Sequence, residues 1–478
     1  MRKSVLDDYP GDGDGIPKPS PDIDNKVFSC HYTDAGNAQA LALIYGSYIR
    51  YVHGIGWHVW EGNNWIPDAE DKVFRAVTNL SKYRLTLVIK MEEDKDKRKE
   101  KIGEAMKLEN KWCATSCLKI AESRPELSCV PDDLDKDPMF LACPNGTVAL
   151  EHGLLVDSDP ADLITHVTGV RFEENAQAPR WQQFLKEVFV HPDGKPDLEL
   201  IRYIQRAVGY SLTGKTTERS IFICIGQGAN GKSTFLNTVH YVIGSYAGLI
   251  PFSSLMQKPG SDYGNDIAAL RGKRFVSAIE TDQMQYMNES KIKRLTGGDP
   301  IQCRFLFKEY FAYFPTYKLW LACNHKPKIR GTDQAIWDRV KVVPFNNRFV
   351  KGSAQTDKDL VEKLKKEGPG ILAWMVDGAR QWVEKGLGDC QQVEDAIKDY
   401  RTEEDVFQEF LDDAVVKSPG AFTSVLEVWQ KYNDWAKTNG HPEMSNTTAM
   451  GIEMKQRGYV KAMKSNQRGY SDISLMSW

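Results

Sequence analysis

Ser220-Ile-Phe-Ile-Cys-Ile-Gly-Gln-Gly-Ala-Asn-Gly-Lys-Ser-Thr-Phe235 is the stretch that decides the fold. A short apolar run, which is typical of a buried strand, leads directly into the pattern Gly226-x-x-x-x-Gly231-Lys232-Ser233. In such a loop the glycines let the backbone curl so that successive N–H groups point at phosphate oxygens, while the lysine reaches the outer phosphates and the hydroxyl completes a magnesium shell. The stretch therefore predicts a site for ATP and Mg²⁺.

The amphipathic run from Thr234 to Ile243 predicts the helix that a phosphate-binding loop requires. The predicted contacts of the nucleotide all come from the loop and the first turn of this helix. They are Gly226, Gly228, Asn230, Gly231, Lys232, Ser233 and Thr234.

The composition predicts an ordinary globular protein. The chain has 478 residues, of which 41% are hydrophobic and 27% charged, and this length predicts about three domains. No apolar stretch is long enough to cross a bilayer and the first residues lack the apolar core of a signal peptide, so we expect a soluble, intracellular protein with no membrane partner. The nine cysteines form no Cys-x-x-Cys pair, which favours buried, reduced thiols over zinc ligands.

The order of apolar patterns predicts five segments. They are a flexible tail or linker (1–27), an N-terminal α+β and helical domain (28–212), an α/β ATPase core (213–350), a helical extension (351–418) and a winged-helix-like unit (419–478). Strands of a doubly wound parallel sheet are predicted at Ile221–Ile225, Phe275–Ile279, Lys318–Cys323 and Val340–Phe345. Outside the core, helices are predicted at Asn37–Tyr51 and Val393–Val416, and hairpins at Gly56–Pro67 and Tyr459–Met476.

Polar residues that follow the predicted strands supply the rest of a nucleotide site. Glu280 ends one apolar run and is suited to hold the magnesium shell or to polarise the attacking water, with Asp282 as the alternative acid. Asn324 ends another run with an amide that is suited to orient a water molecule against the γ-phosphate. Arg339 stands just before the last strand, where it is suited to reach the γ-phosphate of a neighbouring subunit.

Taken in order, these motifs resemble those of the superfamily 3 helicases, specifically the motor of phage and plasmid primase-helicases related to the poxvirus helicase-primase. The resemblance rests on Gly226–Ser233, Glu280, Lys293–Pro300, Asn324 and Arg339, and it extends over roughly residues 30 to 350. It implies an AAA+-like core and a homo-oligomeric, hexameric ring with ATP between subunits. It also implies 3′ to 5′ translocation on single-stranded or forked DNA.

Two features depart from the family pattern. Many relatives have adjacent acids at the second motif, whereas here Thr281 separates Glu280 from Asp282, so the division of metal and base roles between these acids stays open. The primase half is absent from the given sequence, because too little precedes Phe28 to hold a polymerase fold. We therefore expect no primer synthesis by this chain and a separate primase or polymerase as its partner.

A hairpin between the second and third motifs grips DNA in this helicase class, and Ile301–Phe314 is the corresponding candidate, with its tip near Lys308. Lys291, Lys293, Arg304 and Lys308 are the predicted DNA contacts; the alternative is an amphipathic hairpin with solvated lysines. In the last segment a second set of residues is suited to contact duplex DNA. This set comprises Lys455, Arg457, Lys461, Lys464, Arg468 and Tyr470.

Two functions are consistent with these features. The first is an ATP-dependent replicative DNA helicase of a phage or mobile element. The alternative is an ATP-switched origin-binding or loader protein that does not unwind processively and whose winged helix performs the recognition. A small-molecule kinase is disfavoured because it would leave Arg339 and Lys293–Pro300 unexplained.

Overall fold

The computed structural model describes residues 21–257, 264–280, 285–329, 334–349 and 357–476. The chain forms two compact units. The larger one comprises Met1–Pro327 and Asp338–Glu394, and the smaller one comprises Lys328–Trp337 and Asp395–Trp478. Among the described residues, no helix is both long enough and apolar enough to span a lipid bilayer.

The larger unit begins with a helical layer packed on a small sheet. Its helices are α1 (Pro21–Ser29), α2 (Asp34–Tyr45), α3 (Lys72–Met91), α4 (Lys95–Met106) and α5 (Lys111–Ala121). Its strands are β1 (Ile49–Val52), β2 (Gly56–Trp60), β3 (Trp65–Pro67) and β4 (Ser128–Cys129), in the order β3-β2-β1-β4. The hairpin predicted at Gly56–Pro67 is thereby confirmed.

Two predictions for this layer are wrong. Helix α1 already begins at Pro21, seven residues before the start expected near Phe28, because Val27 is fully buried on this helix, which has acidic residues in its first turn. The helix predicted over Asn37–Tyr51 ends at Tyr45, because the residues from Ile49 onward pair with β2 instead.

A second small sheet and two helices lead to the core. The sheet is antiparallel, with β5 (Phe140–Cys143), β6 (Gly146–Ala149) and β7 (Leu154–Val156) in chain order. The helices are α6 (Pro179–Val188) and α7 (Leu198–Leu212). The turn at Asn145-Gly146 joins β5 to β6, and Gly146 has a φ of 147°, a conformation that favours glycine.

The core is a five-stranded parallel sheet in the order β14-β8-β13-β10-β9. Its strands are β8 (Ile221–Ile225), β9 (Ala247–Leu249), β10 (Phe275–Ile279), β13 (Lys318–Cys323) and β14 (Val340–Pro344). Between and after them lie α8 (Lys232–Ile243), α9 (Asn265–Ala268), α10 (Glu289–Thr296), β11 (Ile301–Cys303), β12 (Phe311–Tyr313), α12 (Leu360–Lys366) and α13 (Gly368–Lys385). The four predicted strands are confirmed, with β14 one residue shorter than expected, and β9 adds a fifth.

The centre of this sheet is held by stacked aromatic rings. Phe222 and Trp320 lie on neighbouring strands with ring centroids 4.3 Å apart, and Phe275 stacks on the other side of Trp320 at 5.4 Å. All three side chains are fully buried. This packing fixes the register of β8, β13 and β10, and therefore fixes which residues meet at each edge of the sheet.

The smaller unit has its own apolar core around Phe410, Tyr432 and Trp435. Its elements are α11 (Gln334–Trp337), most of α14 (Gln391–Glu404), α15 (Val406–Ala414), β15 (Val415–Ser424), α16 (Val425–Asn439), α17 (Thr447–Gln456), β16 (Lys461–Lys464) and β17 (Gln467–Leu475). The three strands form an antiparallel sheet in the order β15-β17-β16, so the hairpin predicted at Tyr459–Met476 is confirmed.

Two sequence expectations differ from this unit as observed. The helix predicted over Val393–Val416 is divided between α14 and α15, and from Val415 the chain continues as strand β15. The smaller unit also includes residues before 419, because α15 contributes Phe407 and Phe410 to the same apolar core as α16.

Candidate nucleotide-binding site

The loop between β8 and α8 has the backbone geometry of an anion cradle. Gly228, Ala229 and Gly231 have φ angles of 63°, 49° and 87°, so the chain curls through left-handed conformations before the helix begins at Lys232. The residue that caps the helix is Gly231, which provides no side-chain hydrogen bond to the first turn. The N–H of Lys232 donates to Oδ1 of Asn230 at 3.5 Å, and Gly231 leaves the other N–H groups of the first turn without a capping side chain, as in loops that bind anions.

Lys232 lies inside this loop rather than in solvent. Its side chain is buried, and its ammonium donates hydrogen bonds to the carbonyl oxygen of Gly226 and, at 3.2 Å each, to Oδ1 of Asn230 and Oδ1 of Asn324. Burial lowers the pKa of Lys232, while the nearby Cys224, Cys323 and Glu280 act in the opposite direction. The site thus holds a buried cation, and two of its three acceptors are side-chain amides.

Glu280 and Asn324 lie next to each other at the carboxyl ends of β10 and β13, as the strand pattern predicts. Oε2 of Glu280 accepts hydrogen bonds from the backbone N–H groups of Asn324 and His325, the second at 3.0 Å. His325 also places Nδ1 3.7 Å from Oε1 of Glu280. The strand pairing therefore links the carboxylate to the amide that holds Lys232.

A further observation shows that the loop is suited to bind a phosphate group. Asn230 is 3% exposed, and its Nδ2 has no hydrogen-bond partner in the part of the chain that the structure describes. A buried donor left unpaired costs about 1–3 kcal/mol, so an acceptor supplied by a ligand would be favourable here. Lys232 accounts for the orientation of the amide, because an ammonium can only donate and so requires Oδ1 to face it.

The structure describes two of the three predicted metal ligands. Ser233 is exposed in the first turn of α8, and the Glu280 carboxylate is next to the loop network; both offer the oxygen atoms that Mg²⁺ prefers. Asp282 lies outside the described residues. The magnesium role of these three residues stays a prediction.

Arg339 lies at the other edge of the sheet. Its carbonyl oxygen accepts a hydrogen bond from the N–H of Ile221, at 2.9 Å, where β8 begins. The phosphate loop follows Ile225, where β8 ends, and β14 runs parallel to β8. About 16 Å of strand therefore separates Arg339 from the loop of its own chain.

The hairpin expected between the second and third motifs is formed by β11 and β12, which pair in antiparallel register. At its tip, Phe307 is 94% exposed and has a φ of 61°, and the neighbouring Lys308 is also exposed. Arg304 is half-buried, with its guanidinium 4.6 Å from the centroid of the Tyr310 ring. The tip therefore presents an aromatic ring beside a cation.

Two residues on α10 belong to the predicted DNA contacts. Lys293 is half-buried, whereas Lys291 is only 7% exposed. The face of the helix that carries Ile292 and Leu295 is turned into the protein, and Lys291 lies next to it. A direct phosphate contact by Lys291 is therefore not supported. Phe307, in contrast, is not among the contacts predicted from the sequence. Its position next to Lys308, at the predicted tip of the hairpin, is the sequence feature that could have indicated it.

Comparisons with known proteins follow the same order along the chain. The family described as "D5 N terminal like" matches residues 38–190, and a family of unknown function, DUF5906, matches residues 224–339. The chain is 28% identical over 330 residues to the protein named "Putative helicase L207/L206" of Acanthamoeba polyphaga mimivirus, covering 64% of this chain and 34% of that protein. It is 24% identical over 385 residues to "Putative helicase 022R" of Frog virus 3, covering 64% of this chain and 40% of that protein.

A third relative is "Putative primase C962R" of African swine fever virus. It is 24% identical to this chain, and the aligned region covers 34% of that protein. This chain thus spans between a third and two fifths of the length of these relatives. Among solved structures, the apo form of the NrS-1 C-terminal region has a similar fold, with a TM-score of 0.51 at 9% identity over 88% of this chain and 95% of that one.

These matches support the assignment that the motifs suggested: the chain is related to the superfamily 3 helicase-primase family of phages and viruses. Within that family, the relatives described above are named as helicases or primases and come from large DNA viruses.

Proposed function

We propose that this protein is an ATP-dependent DNA helicase motor that acts in replication and works as a ring on single-stranded DNA. The observation that carries the proposal is the meeting of Lys232, Glu280 and Asn324 at one edge of a parallel sheet, beside a loop in which Nδ2 of Asn230 is a buried donor without a partner among the described residues. ATP and Mg²⁺ are the ligands that this donor set favours.

The position of Arg339 supports assembly. An arginine at the edge opposite its own phosphate loop is badly placed for its own nucleotide but well placed to project toward a neighbouring subunit. Such arginines stabilise the charge that develops during phosphoryl transfer. In the proposed ring, expected to be hexameric, each ATP lies between the loop of one subunit and Arg339 of the next.

The side chains on the loop suggest how binding couples to hydrolysis. When Lys232 exchanges its amide partners for phosphate oxygens, Oδ1 of Asn324 becomes available to orient a water molecule. Glu280, held by the backbone N–H groups of Asn324 and His325, is placed to polarise that water. Bound Mg²⁺ would neutralise charge on the phosphates.

The hairpin tip is the proposed DNA contact. Phe307 offers a ring on which a base can stack, and Lys308 offers a charge for the phosphate backbone. An aromatic side chain that is 94% exposed buries very little apolar surface within its own chain, which favours a binding role over a packing role.

The test combines ATP hydrolysis, with and without single-stranded DNA, and unwinding of forked duplexes that carry a 3′ or a 5′ tail. We expect stimulation by DNA and unwinding that requires the 3′ tail and is lost in Lys232→Ala. Phe307→Ala and Lys308→Ala should remove the stimulation while leaving basal hydrolysis intact. Lys99→Ala, which removes an exposed lysine from α4, serves as the control. Vigorous hydrolysis by assembled rings without strand separation would contradict the motor.

The smaller unit favours a second candidate, an ATP-switched loader or origin-binding protein. From α15 to β17 its elements follow the order helix, strand, helix, helix, strand, strand, which is the order of a winged helix. Four cations of the predicted set are exposed, namely Lys455, Lys461, Lys464 and Arg468. The other two are unsuitable, because Arg457 is paired with Asp405 and Glu453, and Tyr470 is fully buried.

Duplex binding separates the two candidates. Lys464→Glu should weaken binding of a duplex if the wing contacts phosphates, whereas Lys437→Glu, on α16 of the same unit, should not. A loader would bind duplex DNA with sequence selectivity, separate few strands and be insensitive to Lys308→Ala. A motor would lose unwinding in that last variant. For either function, a separate primase or polymerase is the proposed partner.

A further inference from the structure

We propose that Arg348, which follows β14, contacts the phosphate tail of the nucleotide bound by its own chain. This inference rests on the proposed function, since it assigns a further residue to the same site. It gives β14 one arginine at each end, with Arg339 directed to a neighbouring subunit and Arg348 to its own loop.

The segment 345–349 lies alongside the phosphate loop. The N–H of Phe345 donates to the carbonyl oxygen of Ile225 at 2.8 Å, where the loop begins, and the N–H of Phe349 donates to that of Ala229 at 2.7 Å, in the middle of the loop. The approach is close at Gly226, where a Cβ atom would lie 2.6 Å from the carbonyl oxygen of Phe345. The segment thus forms a wall of the loop from its start to its centre.

The other side of the segment is fixed to α6. Nδ2 of Asn347 donates to the carbonyl oxygen of Glu187 at 2.6 Å, and Oδ1 of the same residue accepts the N–H of Arg348 at 2.8 Å. Nδ2 of Asn346 also reaches the carbonyl oxygen of Val190, at 3.5 Å. Both asparagine side chains are therefore engaged in holding the backbone, whereas the side chain of Arg348 is exposed and its backbone adjoins Phe349, which is hydrogen-bonded to the loop.

The charge of the ligand favours this arginine. Among the described residues, Lys232 is a cation held inside the loop, and Arg339 is at the opposite edge of the sheet. A nucleoside triphosphate carries several negative charges, and a guanidinium binds phosphate oxygens through two parallel hydrogen bonds. Arg348 adds a second cation from the same chain, one residue away from a backbone hydrogen bond to the loop.

The first experiment measures ATP hydrolysis and binding of a fluorescent ATP analogue by the full chain. Arg348→Ala should raise KM and weaken analogue binding about 10- to 100-fold, the value of one charged hydrogen-bonding contact, with kcat changed less than KM. Arg348→Lys keeps the charge but loses the paired donors, so its KM and its affinity for the analogue should lie between those of the wild type and Arg348→Ala. Arg171→Ala, which removes an exposed arginine whose ion pair with Glu173 spans 3.3 Å, is the matched control.

Unchanged analogue binding in Arg348→Ala would overturn the inference. Weakened analogue binding accompanied by a lower Tm would also overturn it, because a residue with a purely structural role would lower the affinity and the Tm together. Failure of the proposed function has a different outcome, namely wild-type protein without hydrolysis or Lys232→Ala with full hydrolysis.

Mixed assemblies test whether Arg348 acts within its own chain. Subunits with Arg348→Ala are mixed with subunits that carry Arg339→Ala, and hydrolysis is measured at ATP concentrations below the wild-type KM. If Arg348 serves its own loop, some sites in the mixture regain both arginines and activity rises above that of either variant alone. If Arg348 serves the neighbour, no mixed site is complete and activity stays low, which would overturn the inference.

Discussion

Two buried lysines at opposite edges of the same sheet show what separates a binding site from a structural contact. Lys232 lies at the carboxyl edge, beside the phosphate loop, and Lys318 lies at the amino edge, where β13 begins. Each is almost completely buried, and burial lowers the pKa of each. Burial of an ammonium group is therefore not what distinguishes the candidate site.

The difference lies in the acceptors. Lys318 donates to the backbone carbonyl oxygens of Thr213, Lys215 and Thr316 and lies 4.6 Å from the centroid of the Tyr210 ring, so all its acceptor atoms belong to the backbone. Lys232 donates to one backbone carbonyl and two side-chain amides. Side chains can exchange partners at low cost, whereas backbone carbonyls are fixed by the fold, so the carboxyl edge can release its lysine to a ligand.

The strongest test of this comparison is Lys232→Ala. We expect ATP hydrolysis to fall to background, because the cation that reaches the outer phosphates is lost. The free energy of unfolding should change by less than about 2 kcal/mol, since removing the lysine also removes the cost of burying its charge. Hydrolysis assays and urea unfolding measure the two effects. A Lys232→Ala protein that is strongly destabilised but keeps its hydrolysis per folded molecule would show that Lys232 has the structural role assigned here to Lys318.

The next largest effect is expected at the amino edge, from Arg339→Ala. Hydrolysis should fall by about 10³-fold or more, as for other arginines supplied to a neighbouring nucleotide. Binding of the fluorescent analogue and the assembly state, measured by light scattering, should remain. Wild-type hydrolysis in this variant would show that the amino edge carries only structural cations.

Lys318→Met should affect stability instead of chemistry. The methionine fills similar volume but leaves buried carbonyl oxygens without their donor, which should lower the free energy of unfolding by about 3 kcal/mol. Hydrolysis per folded molecule, measured well below the unfolding transition, should stay near the wild-type value. Loss of hydrolysis at unchanged stability would remove the contrast with Lys232.

His240, on α8 between the two edges, predicts a smaller effect that depends on pH. Its Nε2 is 2.8 Å from Oγ of Ser277 on β10, and burial lowers the pKa of His240 to about 4. The folded protein keeps the imidazole neutral while the unfolded chain binds a proton near pH 6.5, so this stability is complete above about pH 6.5 and is lost as the pH falls toward 4. Between pH 7 and pH 5 the loss should be about 2 kcal/mol.

Urea unfolding at the two pH values measures this difference, and His240→Gln supplies the control. The glutamine cannot titrate, so the variant should show a smaller decrease between pH 7 and pH 5. An equal decrease in both proteins would assign the acid sensitivity to other groups.

The strands of the core could be predicted because parallel strands buried on both faces are continuous apolar runs, as Ile221–Ile225 and Lys318–Cys323 are. Strand β15 could not, because Val415–Ser424 contains a lysine, a proline and a glycine and has an irregular register between Lys417 and Phe422. Its pairing with β17 is a contact distant in sequence, and no local pattern specifies it.

The candidate site divides in the same way. The positions of Glu280 and Asn324 followed from the strand ends, since the carboxyl ends of parallel strands meet at one edge. The network around Lys232 and the role of the segment 345–349 required the three-dimensional structure, because they join residues distant in sequence. Residue type alone misleads at two positions. Lys291 is charged but buried, and Phe307 is apolar but exposed.

The division of the chain into two units has a practical consequence for shortened proteins. The chain passes from one unit to the other after Pro327, after Trp337 and after Glu394, so the smaller unit is not a simple C-terminal appendage. Within it, Trp337 is 5% exposed and meets the ring of Tyr400 edge-on at 5.3 Å. A protein ending near residue 394 would keep Trp337 but lose Tyr400, and would carry an uncovered apolar segment immediately before β14. Such a protein would be prone to aggregate, and its inactivity would be no measure of what the smaller unit does.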